Sequence, residues 1–563
     1  MKTLNKIILI FAVISFSSCV DELIELNINP NGVDPSIVNP NLLLPTIITN
    51  TANPYTEGNH GGRYSGVMQH IQKSGWAGNE NNFEWIGAQG WGGWYNNLRN
   101  AQHLYNRAEQ QGMELQKGAA IVIRAFNFGF ITDTWGDAPY TDALRAIDGE
   151  QEYYFPKFDT QETIYRGIIN ELKEANTLLS KSQGEYQGVD PNSDLLYRGN
   201  AAQWRKFANS LMLRYYMRVS VKLPEFAKAG IEEIVSNPAT YPIFGSSADD
   251  ATMAYGGTSL NDSWPWNRQY DDTGRGYERV QLAAGLRDVL MEYNDPRLGV
   301  WFNPVRLQIQ ISEDNPGDNI IDGVRYLHPD HIADRNLAVY SPETWVADID
   351  AGKDLIDTNL YVGVPIAYNT SDASTYNLNP SPIQGGANVH VSALADMYQA
   401  GSGPMLLARM ISYAEVCFIL AEAAQRGWTV GSQQEWYEKG IEASFSTWGV
   451  SDRLAAYLNE PGVSYDGSLG QIIEQKWIAA WTMTHEAWND WRRTGYPDLT
   501  WGNIGYRLNP PLRLEYDATE VSRNSANYQD AISRLVQTPY TAQDGNDSSW
   551  SKMWLLQGTG KPY

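Results

Sequence analysis

Two kinds of side chain in this sequence could act on a ligand: paired carboxylates and clustered indoles. Glu415 and Glu422 lie seven positions apart in an Ala-rich helical stretch, so they share one face, roughly 10 Å apart by helix rise. A glycosidase needs two carboxyl groups at set separations, and this spacing exceeds the inverting range of about 6.5–9.5 Å. The Ala-rich surroundings, with Arg492 and Arg493 later in the chain, favour structural ion pairs. Asp133 and Asp137 flank Trp135-Gly136 at a helix end and read as turn and capping residues. His485-Glu486 has Asn489 where a zinc helix would place its second histidine. Seven scattered histidines make no metal cluster, and Asp544-Gly545-Asn546-Asp547 lacks a full calcium-loop pattern. No phosphate loop or dinucleotide fingerprint is present. The expectation is a protein without catalytic residues, cofactor or metal, and a secreted glycoside hydrolase is the disfavoured alternative.

The indoles point to binding. Trp 20 and Tyr 33 outnumber Phe 14, a balance of flat apolar faces with polar tips that suits a half-wet recognition surface. Sugars present such a ligand, with an apolar C–H face rimmed by hydroxyls. Ser74 to Trp94 carries Trp76, Asn79, Asn81, Asn82, Phe83, Trp85, Trp91 and Trp94 among glycines. Asn side chains both donate to and accept from hydroxyls. Trp91 and Trp94 open a helix and are assigned to the core. Asp262 to Tyr277 adds Trp264, Trp266, Arg268, Tyr270, Asp271 and Arg275, with Pro265 fixing the backbone between two indoles. Trp345 and Tyr368 are weaker candidates. The expected ligand-binding set is therefore Trp76, Asn81, Trp85, Trp264, Trp266, Arg275 and Trp345.

These loops need a scaffold, and the periodicity predicts one built of helix pairs. Gly92 to Ala108 and Lys117 to Thr132 carry apolar stripes around a Gln110-Gln111-Gly112 break, which reads as an antiparallel hairpin. Asp159-Thr160-Gln161-Glu162 reads as a capping box for a helix to Leu179, partnered by a helix carrying Trp204, Ala208, Leu211, Tyr215 and Val219. A third pair spans Ile411 to Gln425 and Gln434 to Thr447, and one long helix is expected over Leu469 to Trp491. Recurring helical hairpins predict a mostly α fold, an irregular tetratricopeptide-like array with a large loop-rich insertion. The array is expected over about 41–222 and 403–563, within a single domain 41–563. Between them, about 223–402, helical signal nearly vanishes in favour of Pro, Gly, Asn and Asp.

The N-terminus predicts export. Lys2 and Lys6 precede the short apolar run Ile7 to Phe16, too short to span a bilayer, and Phe16-Ser17-Ser18-Cys19 places small residues before a thiol. Residues 1–18 read as a signal peptide and 19–40 as a tether lipidated at Cys19. Acyl chains would hold the protein on a membrane. The net charge of −23 argues against nucleic acid, since phosphate binding needs clustered Lys and Arg. Cys417 sits in the apolar run Val416 to Leu420 and reads as a buried thiol without a disulfide partner.

Several motifs together resemble one family. Thr132-Asp133-Thr134-Trp135-Gly136-Asp137-Ala138-Pro139-Tyr140, Ser412 to Val416 running into Ala421 to Ala424, and Glu486 to Gly495 resemble the SusD/RagB family of Bacteroidetes surface lipoproteins. Leu26 to Pro30 and Asn524 to Tyr528 fit as well, and Asp21-Glu22 resembles the acidic signal for surface export. The resemblance implies a cell-surface lipoprotein of the outer membrane that captures oligosaccharides for a SusC-like, TonB-dependent barrel. A peptide- or glycopeptide-binding role is the alternative it leaves open.

Overall fold

The computed structural model describes residues 38–271, 273–366, 368, 370–502 and 505–560, so the export segment and Cys19 lie outside the described residues. The fold is mostly helical. Counting helices of nine residues or more, the first half holds α1 (Pro40–Asn59), α2 (Gly92–Gln110), α3 (Glu114–Trp135), α4 (Gln161–Leu178), α5 (Ala201–Arg218) and α6 (Pro224–Ser236). The second half holds α7 (Ala284–Glu292), α8 (Tyr413–Gln425), α9 (Gln433–Thr447), α10 (Leu469–Ala479), α11 (Thr484–Thr494) and α12 (Ser525–Ser533).

The predicted pairs form: α2 packs on α3, α4 on α5 and α8 on α9, with α3 also against α4. Close approach depends on small residues. A Cβ at Gly129 of α3 would lie 2.0 Å from the Tyr215 hydroxyl of α5, so only glycine admits this contact. Thr160 caps α4 by accepting from the Thr163 amide at 3.3 Å, while Asp159 turns away to Thr141. The helix therefore has a simple Thr160 N-cap, one residue later than the predicted capping box, and Thr163 stands where the box would need Glu or Gln.

Three expectations change. The single helix over Leu469 to Trp491 is two, α10 and α11, broken where Thr482 takes φ +72°. The turn lets the Thr484 hydroxyl donate to the Asn59 carbonyl at 3.0 Å, which docks α11 on α1. Periodicity alone cannot see such a break, because both halves carry apolar faces. α1 itself lies just where the tether was expected to end; Pro45 and Pro54 inside it mask a 20-residue helix, and Asn39 caps it before Pro40. Finally, the insertion is not devoid of regular structure. It holds α6, α7 and most of nine short strands.

Those strands are β1 (Ile71–Lys73), β2 (Ala251–Ala254), β3 (Val280–Leu282), β4 (Gln308–Ile311), β5 (Asp318–Ile321), β6 (Val324–Leu327), β7 (Leu337–Val339), β8 (Asp354–Ile356) and β9 (Leu407–Ile411). They pair as β1-β3, β2-β9, β4-β6-β5 and β7-β8. The first two ladders stitch the insertion to the helices, whereas Ile309, Leu327, Leu337 and Ile356 form a small core of their own.

Candidate ligand-binding cleft

The antiparallel β1-β3 ladder places the site. Its register sets Ile71 opposite Leu282 and Lys73 opposite Val280. The chain leaving β1 and the chain entering β3 are therefore neighbours, although two hundred positions separate them in sequence. Trp76 stands just after β1 and Arg279 just before β3, and the guanidinium lies 4.8 Å from the Trp76 ring. The same guanidinium lies 5.4 Å from the ring of Trp266, with the Lys73 ammonium 4.4 Å from that ring. A cleft of about 690 Å³ opens here, within the range of small-ligand sites, and Asn261, Tyr270, Asp271 and Arg275 add polar groups to its walls.

Both cleft indoles sit on strained backbone. Trp76 has φ +47° and Trp266 φ +61°, a left-handed conformation costly for bulky residues. Glycines stand beside them, both at positive φ: a Cβ at Gly61 would meet the Trp266 indole at 2.8 Å, and one at Gly385 would press on Trp76 at 3.1 Å. The Gly385 amide donates to the Ser74 carbonyl at 3.1 Å, which braces the Trp76 loop from behind. Trp76 keeps 55% of its surface exposed, and Trp266 is half-buried.

Charge is arranged locally. Burial pulls the Lys73 ammonium below its usual range, against the attraction of Glu80 at 2.8 Å. Burial also lowers the Arg279 pKa. Asp271 runs the other way: burial pushes it up, but hydrogen bonds from Thr273 and Gly276 outweigh this and hold it below the ordinary carboxylate value. A second cleft of about 350 Å³, reaching Trp94 and Trp135, shares Glu57 and Trp266 with the first. Trp94 packs at a tilt against Phe130 with centroids 4.2 Å apart yet stays half-buried, so it lines this cleft as well as the core.

Of the expected site residues, the fold brings Trp76, Trp264, Trp266 and Arg275 to one place. Trp264 differs from the others. It is fully buried beneath the cleft, 4.8 Å from the His60 ring and edge-on to Tyr255, and presents no surface to a ligand. Trp85 is also fully buried, donating to the Asn79 carbonyl at 2.7 Å and packing edge-on against Trp488. Asn81 exchanges hydrogen bonds with the Lys73 backbone at 2.8 and 2.7 Å, so it clamps β1 and cannot reach a sugar. Trp345 is buried against the 499–502 segment, where a Cβ at Gly502 would meet it at 3.0 Å. A Gly- and Asn-rich context marks a loop, but it does not say which side of the loop faces water. Arg279 was missed by sequence reading; its position four residues after Arg275, just past the short helical turn Arg275–Glu278, was the available signal.

The carboxylates are paired inside the scaffold. Arg214 chelates Glu415 at 2.7 and 2.6 Å, and Arg493 binds Glu422. Arg492 instead donates to the carbonyls of Leu512 and Asp133. Asp133 takes an ion pair from Arg218 at 3.0 Å rather than capping a turn, while Asp137 does accept from the Gln161 amide at the start of α4. Asp544 and Asp547 are held by Arg507 and Arg513, each at 2.7 Å. Cys417 is buried, and burial pushes its thiol up to about 12. No group of three metal-ligating side chains occurs among the described residues, and none of their helices is long and apolar enough to cross a membrane.

Similar folds are known. A SusD homolog from Bacteroides fragilis aligns at 23% identity over 92% of this chain and 99% of its own, with TM-score 0.66. A chitin-binding SusD homolog from Flavobacterium johnsoniae aligns at 20% identity over 92% and 98%, with TM-score 0.65. A SusD/RagB family protein from Bacteroides thetaiotaomicron aligns at 20% identity over 92% and 99%, with TM-score 0.64. No curated relative matches the chain. The family profile described as SusD-like, "Starch-binding associating with outer membrane", matches residues 32–326 and 349–517. Those two stretches span most of the chain, so this protein belongs to the SusD-like family, whose members bind ligands at the outer membrane and are not enzymes.

Proposed function

We propose that this protein captures oligosaccharides at the cell surface through the Trp76–Trp266 cleft and delivers them to a SusC-like, TonB-dependent transporter. The observation that carries the reading is the pair of indoles held on strained backbone at an open cleft, with amide, hydroxyl and charged groups around them. An indole face covers a pyranose ring, while Asn261 and Tyr270 offer partners for its hydroxyls. Preorganised rings lose little freedom on binding. Family membership supports the outer-membrane setting, and lipidation at Cys19 would supply the anchor.

Affinity is expected in the millimolar to micromolar range, about −4 to −8 kcal/mol, because a delivery protein must release its cargo. Calorimetry against a panel of oligosaccharides tests this, with Trp76→Ala and Trp266→Ala expected to abolish measurable binding. Wild-type affinity in both variants would refute the cleft. Peptide binding in place of any glycan would favour the peptide-capturing alternative. Cys19→Ala should release the protein from membranes, and gentle detergent extraction should recover the wild type with a large barrel protein.

A further inference from the structure

The cations around the cleft are not equivalent. Lys73 is neutralised by Glu80 at 2.8 Å, and Arg268 and Arg306 share Glu278 at 3.3 and 3.2 Å. Arg279 and Arg275 form no ion pair with any described carboxylate. Arg279 is clamped between the indoles of Trp76 and Trp266, and its Nε donates to the Arg275 carbonyl at 3.0 Å. Ring contacts engage the faces of a guanidinium and leave its in-plane N–H groups for an acceptor. Two acids share the cleft, Glu57 and Asp271. Asp271 is committed to the Thr273 amide and hydroxyl at 3.0 and 2.6 Å and to the Gly276 amide at 2.5 Å. Glu57 acts on the Lys73 side of the cleft.

Burial of the Arg279 guanidinium outweighs the attraction of Asp271 and Glu80, as its lowered pKa records, and neither of these carboxylates closes on it as an ion pair. In a chain with 65 acidic and 42 basic side chains, carboxylates to neutralise it were plentiful. Its natural complement is a planar or tetrahedral oxyanion, bound through two parallel N–H···O contacts. Resting on the glycan-binding reading above, we propose that the ligand of this cleft is an acidic glycan, whose ring carboxylate or sulfate is taken by Arg279 and assisted by Arg275 while the indoles cover the sugar faces.

The experiment is calorimetry on the mature chain with three matched probes: a uronate-containing oligosaccharide, the same oligosaccharide after carboxyl reduction, and a sulfated oligosaccharide of equal length. At least one acidic probe should bind tenfold or more tightly than the carboxyl-reduced one, and which of them does so separates carboxylate from sulfate. Arg279→Gln should remove that preference. Arg279→Lys should restore it only in part, because an ammonium lacks the planar fork. Arg275→Gln guards against a folding artefact, since this exposed side chain touches neither indole, and it should weaken acidic-probe binding severalfold without shifting the melting temperature. Equal affinity for the acidic and reduced probes, or an acidic-probe affinity unmoved in Arg279→Gln, would overturn the proposal while leaving glycan capture intact. Absence of binding by every glycan, neutral ones included, would remove both.

Discussion

The buried ionic centre of the helical array and the loop cleft use the same residue types to opposite ends. In the array, Arg214 and Arg218 reach Glu415, Glu486 and Asp133, while Arg493 and Lys476 reach Glu422 and Asp490. Every one of these side chains is buried and has a counter-charge. In the cleft, indoles stand on strained backbone, and Arg275 and Arg279 form no ion pair with a carboxylate among the described residues. The segments that identify the family, Thr132 to Tyr140, Ser412 to Ala424 and Glu486 to Gly495, supply the carboxylates of the ionic centre and Arg493, and none of the walls of the Trp76–Trp266 cleft. The motifs most readable in sequence thus build the scaffold, and the recognition surface lies in segments with no regular pattern.

The largest effect should come from breaking the ionic centre. Arg493→Met leaves Glu422 and Asp490 buried without their shared partner, which costs about 3–5 kcal/mol. Urea denaturation should show this loss, whereas binding by the folded fraction should stay at wild-type strength. A small change in stability would mean that the pairs relax into solvent and that the contrast is weaker than drawn.

Two tryptophans at the same cleft sharpen the comparison. Trp264→Ala empties a site among His60, Tyr255 and Tyr398 and should lower stability by about 3–5 kcal/mol. Trp76→Ala removes a ring that is largely in water and should leave the thermal midpoint nearly unchanged while eliminating glycan binding. If both variants behave alike in melts and in calorimetry, the division between floor and wall is wrong.

Gly61→Ala should fall between these two. Its φ of +83° disfavours any Cβ, and the added methyl would displace the Trp266 indole. A loss of about 1–3 kcal/mol is expected together with weakened binding, because the strained conformation and the ring position are coupled. Titration of the isolated glycan against this variant checks the second half of that expectation.

The smallest effect is a pH dependence. Burial pushes Asp250 up to about 7, despite the Tyr413 amide donating to it. The folded state therefore holds a proton that the unfolded state has already lost, so this group's contribution is present at low pH and fades as pH rises from the ordinary carboxylate range through about 7. His60 and His70, lowered by burial to about 3, act oppositely: their contribution is present above about pH 6.5 and is lost as pH falls toward about 3. Asp250→Asn should gain on the wild type as pH rises from 5 to 8. Denaturation midpoints at the two ends measure it, and a constant difference would place Asp250 in contact with water.

By itself, the sequence determined the hairpins α2–α3, α4–α5 and α8–α9, because apolar stripes at helical spacing have few other ways to leave water. It also pointed to structural ion pairs for Glu415 and Glu422, and Arg493 does hold Glu422, whereas the Arg214 that holds Glu415 became visible only in the packed helices. Tertiary structure decided the rest. Whether Trp76 or Trp85 faces a ligand depends on a turn whose two sides are equally rich in Gly and Asn, and the answer lies in Gly385 behind one ring and Trp488 behind the other. The partnership of Trp76 with Arg279 depends on a three-residue ladder closing a loop of two hundred residues. Local propensity carries no information about contacts at that separation; they are set by which distant surfaces are complementary once the helices have packed.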